Sequence, residues 1–205
     1  MGRYATEGGG GDFEEAPAGN HLGRCYRLID LGTQPAGEYK GQPTGPRSKL
    51  FIGFELPEAL MENGKPYACG AIWTNSLNEK STMRIVLEMW RSRQFTNEEL
   101  GGFDLNKILN VPGIVTLGKK PQGTRVTVLG VGPLMRGMTC PPLVNEAFSF
   151  WIDEWDQAKY ESLSDGLKKM IMQSKEYKER FSSRRMAQDD TPPRTEDFSD
   201  DIPFN

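Results

Sequence analysis

Residues 47–56 hold the cleanest alternation in the chain: Ser48, Leu50, Ile52, Phe54 and Leu56 fall on one parity, and Arg47, Lys49, Phe51, Gly53 and Glu55 on the other. Successive side chains of a strand point to opposite faces, so this segment must lie with one face on a core and the other turned away from it. Such a strand needs neighbours that share its apolar face. From Leu22 to Leu31 the run LGRCYRLIDL is rich in strand formers, with Cys25, Ile29 and Leu31 on one parity and Arg24, Tyr26, Leu28 and Asp30 on the other, although Arg27 breaks the pattern. A Gly/Pro-rich connection, Gly32 to Pro46, separates the two. After a turn at Asn63-Gly64, Lys65 to Thr74 reads as a third strand, with Tyr67 and Trp73 on one parity and Ile72 on the other.

The periodicity then changes. Ser76 with Glu79 has the form of a capping box, and Met83, Val86, Leu87 and Trp90 recur at helical spacing. Thr96 with Glu99 repeats the signature, and Asp104 is placed to cap Leu105 to Leu109. β-Branched runs return at Ile114 to Lys119 and Thr124 to Val131, joined by a Lys119-Lys120-Pro121-Gln122-Gly123 turn as a hairpin. Beyond them, Ala147 to Trp155 adds a strand or an apolar staple, and Ser164 to Phe181 reads as an amphipathic helix through Leu167, Met170, Ile171 and Tyr177. The order strand, strand, strand, helix, strand, strand predicts a mainly β chain with added helices. The expected architecture is a five-stranded OB-fold barrel with a helix between strands 3 and 4 and a C-terminal helix packed on it.

Only 37% of the 205 residues are hydrophobic, with 23 Gly and 14 Pro, which predicts one domain with extensions that do not fold. Residues 1–18, with Gly8-Gly9-Gly10-Gly11 ahead of Glu14 and Glu15, read as a flexible acidic arm. The barrel is expected over 19–163, its helix over 164–186, and a disordered acidic tail over 187–205. Of the 25 basic and 28 acidic residues, one and six lie in that tail, so the remainder is slightly basic although the whole chain carries −3. The overall acidity therefore says little about the partners of the body.

Cys25, Cys69 and Cys140 are odd in number and far apart, indicating neither a disulfide framework nor a zinc site, and a reducing cytoplasmic setting is the expectation. No apolar run approaches a membrane span, and Met1 to Ala16 lack the apolar centre of a signal peptide. His21 is the only histidine, no P-loop is present, and Glu55, Glu58, Glu62 and Glu79 are too scattered to hold metal ions. The chain reads as a protein without catalysis, cofactor or metal.

Unpaired bases offer π-faces and phosphates together, so a protein that holds them needs aromatic platforms among cations along one groove. Phe51 beside Lys49, and Tyr67 and Trp73 on the next strand, are the candidate platforms, with Tyr26 on the first strand. Gly53, Cys69 and Ala71 are small enough to leave a base room beside them. Trp73 has a second reading, as a core side chain that closes the barrel. Arg24, Arg27, Arg47, Lys49, Lys65, Lys119, Lys120 and Arg125 lie on or next to the strands and on the turn that OB-folds use as a clamp. Arg91 and Arg93 sit where they neutralise a helix C-terminus.

The final residues, Asp200-Asp201-Ile202-Pro203-Phe204-Asn205, set a small apolar tip on an acidic segment. Solubility explains the acids but not Ile202-Pro203-Phe204; proline between two apolar anchors lowers the ordering cost of docking. The string resembles the C-terminal tip of bacterial and phage single-stranded-DNA-binding proteins, which docks into basic pockets on replication and repair partners. Here Asn205 follows Phe204 and moves the α-carboxylate by one position. The body, with strings such as Arg24-Cys25-Tyr26-Arg27-Leu28-Ile29-Asp30-Leu31-Gly32-Thr33, Trp90-Arg91-Ser92-Arg93-Gln94-Phe95-Thr96 and Gly102-Phe103-Asp104-Leu105, resembles a group of phage-encoded OB proteins of that kind. The resemblance implies binding of single-stranded DNA without sequence specificity, to coat and protect strands in phage replication, recombination and repair. It also implies that the tail recruits replication or recombination proteins. The rival expectation is an OB-like protein-interaction or phage assembly module that does not bind nucleic acid.

Overall fold

Alternation at 47–56 becomes the central part of a longer strand in a computed structural model of the chain, which describes residues 14–39, 41–121 and 123–189. The strands are β1 (Gly19–Gln34), β2 (Gly37–Tyr39), β3 (Gln42–Thr44), β4 (Arg47–Leu60), β5 (Pro66–Thr74), β6 (Pro112–Lys119), β7 (Val126–Gly132) and β8 (Phe148–Phe150). The helices are α1 (Thr82–Arg91), α2 (Asn97–Gly101), α3 (Gln157–Ser162), α4 (Asp165–Gln173) and α5 (Lys175–Asp189), with a 3₁₀ turn at Leu105–Ile108. Six strands form one sheet in the order β5-β4-β1-β6-β7, antiparallel throughout, with β8 added parallel to β1. The small β2–β3 hairpin folds within the Gly/Pro-rich connection.

Leu50, Ile52, Phe54 and Leu56 are fully buried on the inner face, as their parity requires. α1 lies against that face through Met83, Val86, Leu87 and Trp90, with the Trp90 ring 5.4 Å from that of Phe54 and its indole N–H donating to the Pro112 carbonyl at 2.8 Å. β1 is apolar on both parities because both of its faces are covered. Cys25 and Leu28 belong to the inner core, whereas Ile29 and Leu31 pack outward with Phe150 of β8, Ile171 of α4, and Ile152 and Leu163 of the connecting segments. Irregularities between Cys25 and Arg27 and between Asp30 and Gly32 shift the register against β4, which is why the alternation failed at Arg27.

The sheet does not close into a barrel. Among the described residues no ladder joins the edges β5 and β7; they meet through a side chain, the Thr127 hydroxyl donating to the Gly70 carbonyl at 3.2 Å. Residues 14–16, read as part of a flexible arm, dock at this seam, where Ala16 is 7% exposed in the inner core.

Two helix boundaries also differ from expectation. α1 begins at Thr82 after Ser81, because the Ser76 hydroxyl accepts instead from the Asn78 amide at 3.1 Å and Asn78 from the Lys80 amide at 3.2 Å, holding the chain in turns. The single helix expected from Ser164 breaks at Ser174, which is extended and wholly buried; its hydroxyl donates to the Ile171 carbonyl at 2.6 Å and accepts from the Tyr177 amide at 3.2 Å. α5 then runs on to Asp189, past the expected start of the tail. The Thr96 and Glu99 box and the Asp104 cap form as read. Among the described residues no helix is long and apolar enough to cross a membrane.

Candidate nucleic-acid interface

Pairing between β4 and β5 decides which aromatic side chains can meet a ligand. Leu50 stands opposite Trp73, Ile52 opposite Ala71 and Leu56 opposite Tyr67, so Trp73 and Tyr67 share the inner face with the core of β4. They are 6% and 9% exposed. Neither is a platform: Trp73 takes its second reading, and Tyr67 sits in the core with its hydroxyl donating to Glu14. Ala71, expected to leave a base room, is likewise core.

The outward set on this hairpin is Lys49, Phe51 and Gly53 of β4 facing Thr74, Ile72 and Gly70 of β5. Phe51 is half-buried and lies across the two glycines. A methyl group at Gly70 would stand 2.5 Å from two of its ring atoms, and one at Gly53 would stand 3.0 Å from the ring, 3.1 Å from Tyr26 and 3.2 Å from Arg27. The room at Gly53, expected to admit a base, is therefore filled by the protein's own side chains. Ile72, at 37% exposed, completes an apolar surface that parity assigned to no role.

This surface is the floor of a groove of about 940 Å³. Phe51, Gly70 and Ile72 are joined there by Tyr26, by Arg125 from the β6–β7 connection, and by Leu167 and Met170 of α4. α4 reaches this position because Ile171, one turn on from Leu167 on the same face, anchors it among Ile29, Leu31 and Phe150, with Leu167, Met170 and Phe51 packed at the border of that cluster. Its contribution was not read from the sequence, where Leu167 and Met170 signalled only an amphipathic helix.

The cations divide into two groups. Arg24 is a structural clamp rather than a free phosphate ligand: it donates to the carbonyls of Pro141 at 2.6 Å, Cys140 at 2.8 Å and Asn110 at 2.9 Å. Arg27 lies between rings, its guanidinium carbon 4.8 Å from the Phe148 centroid and 5.1 Å from that of Tyr26, tying β8 to β1. Tyr26 lines the groove but is only 9% exposed; its phenol is raised in pKa first by burial, with Arg27 opposing. Arg91 and Arg93 are paired with Glu99, and Arg91 also lies over Phe95 at 4.4 Å.

The remaining cations are exposed or nearly so. Arg47, Lys119, Lys120 and Arg125 are exposed, and Lys49 is partly so, donating to the Thr74 hydroxyl at 2.9 Å. The Lys49 ammonium is lowered in pKa first by burial and then by repulsion from Arg47 and Lys120. Lys49 stands two residues from Phe51 on the same outward face of β4. Of these cations Arg125 lines the groove, whereas Arg47, Lys49, Lys119, Lys120 and Lys65, the last exposed on the β4–β5 turn, do not. The proposed partner residues Asp200, Asp201, Ile202, Pro203 and Phe204 lie outside the described residues. No protein-family model, curated protein or solved structure matches this chain.

Proposed function

We propose that the chain binds single-stranded DNA without sequence specificity along the outer face of β4 and β5, coating strands during phage replication and recombination. The observation that carries this reading is a half-buried aromatic floor, Phe51 with Ile72, on one outward face with Lys49 and with Arg125 on the same groove. Bases stack on the ring while their phosphates meet the cations. The strand order, with α1 between β5 and β6, supports an OB-type sheet opened at its β5–β7 seam. The binding surface in this reading is narrower than the sequence predicted, with Phe51 as its platform and α4 as a wall in place of Tyr67 and Trp73. The acidic tail recruits partner proteins, a role that rests on its resemblance to the single-stranded-DNA-binding tips.

A second reading follows from the same groove. Leu167 and Met170 give it an apolar wall, which suits a hydrophobic peptide as well as a base, as in a protein-interaction or phage assembly module. Competition separates the two. Labelled oligo-dT bound at low salt is challenged with unlabelled single-stranded and duplex DNA; displacement by the single strand and not the duplex is expected. Absence of any complex contradicts the first reading.

A further inference from the structure

The β5–β7 seam is crossed by a piece of chain that carries adjacent carboxylates. Glu14 accepts hydrogen bonds from the Tyr67 hydroxyl on β5 and from the Glu62 amide, the latter at 3.1 Å. Glu15 accepts from the Val126 amide at the head of β7 at 2.5 Å. Two neighbouring side chains thus hold the edges that no ladder joins, and Ala16 fixes the segment by burial. Glu15 and Ala16 also line the groove, together with Arg125.

We propose that the Glu14 and Glu15 side chains, on a segment pinned by Ala16, form a displaceable anionic latch that occupies the Arg125 end of the groove and gives way to the phosphates of a bound strand. This rests on the single-strand reading above. A carboxylate held by a backbone amide beside an arginine presents the same chemistry as a phosphate oxygen: a negative acceptor for N–H donors and for a guanidinium. Strand and latch compete for one electrostatic position, because a phosphate brought to Arg125 is repelled by the Glu15 carboxylate beside it. When the latch leaves, the Val126 amide is free to donate to the strand instead. The open ladder gives the exchange room, since β5 and β7 are joined there by side chains rather than by backbone pairing.

The test compares oligo-dT titrations of the full chain with those of Glu14→Gln/Glu15→Gln and of Glu79→Gln/Glu98→Gln. The latter removes equal charge at exposed positions outside the groove lining. The latch variant is expected to bind about three- to tenfold more tightly than wild type, the factor by which a minority open state taxes affinity, with the control unchanged. Saturating oligo-dT is also expected to speed hydrogen exchange at the Glu62 amide of wild type, as Glu14 withdraws. Should the double variant unfold, Glu15→Gln alone, which keeps both Glu14 contacts, carries the same expectation. Equal tightening in both variants, or unchanged Glu62 exchange, overturns the latch while leaving the single-strand reading standing. Failure of wild type and variants alike to bind at low salt overturns both.

Discussion

Arg24 and Glu55 face each other across β1 and β4, and each reaches to the same loop. Arg24 donates to the Cys140 and Pro141 carbonyls, while Glu55, fully buried, accepts from the Val144 amide at 2.6 Å, the Asn145 amide at 2.9 Å and the Asn145 side chain at 2.5 Å. Opposite charges thus grip the loop's carbonyls and amides, and the loop leads directly into β8. The sequence reading put Arg24 among the phosphate contacts and Glu55 among scattered acids.

Removing this grip should lower stability and spare the ligand face. Glu55→Ala should cost about 1–3 kcal/mol in all, as the partly buried loop amides lose their charged acceptor, and Glu55→Gln less, as read from urea unfolding midpoints. Oligo-dT affinity of the folded fraction should be unchanged.

Phe51 and Trp73 should behave oppositely although both are aromatic residues on adjacent strands. Phe51→Ala is expected to weaken oligo-dT binding by about 1–3 kcal/mol with a folded circular dichroism spectrum. Trp73→Ala should cost about 3–5 kcal/mol of stability, because it opens a cavity in the inner core. Fluorescence titration and thermal unfolding on the same pair of variants check both halves.

Salt dependence should identify the cations that meet phosphates. Lys120→Ala and Arg125→Ala are each expected to reduce the slope of log affinity against log salt by about 0.7, the single-strand value per phosphate contact. Lys65→Ala, at the opposite end of the β4–β5 hairpin from Lys49, should leave the slope unchanged.

Glu99 should stabilise the fold at neutral pH and less so in acid. Hydrogen bonds from Arg93, the Thr96 amide and Arg91 lower its carboxyl to about 2 from an ordinary 4.5. A carboxyl depressed in the folded state adds stability above its unfolded value, and that gain is lost as pH falls through 4.5 toward 2. Glu99→Gln should therefore melt below wild type at pH 7, with the gap narrowing as the pH is lowered from 4.5 toward 2.

Strand content and order were legible because period-2 alternation reports directly on burial: the inner face of β4 and the β6–β7 hairpin lie where the pattern put them. The candidate ligand face was only partly legible. Parity within one strand groups its side chains but does not say which group faces the core, and cross-strand register settled that against Tyr67 and Trp73. β1 was harder still, since irregular register and burial on both faces hide the alternation around Tyr26 and Arg27. Contacts at long sequence separation, such as Leu167 and Met170 beside Phe51 or Glu15 at Val126, leave no periodic trace.

The central claim, that the Phe51 face grips single strands through stacking and phosphate contacts, is tested most directly by titrating the full chain with oligo-dT at low and high salt. A complex that weakens steeply as salt rises, and weakens further in Phe51→Ala, is the predicted result. Salt-independent affinity, or no complex at low salt, contradicts it.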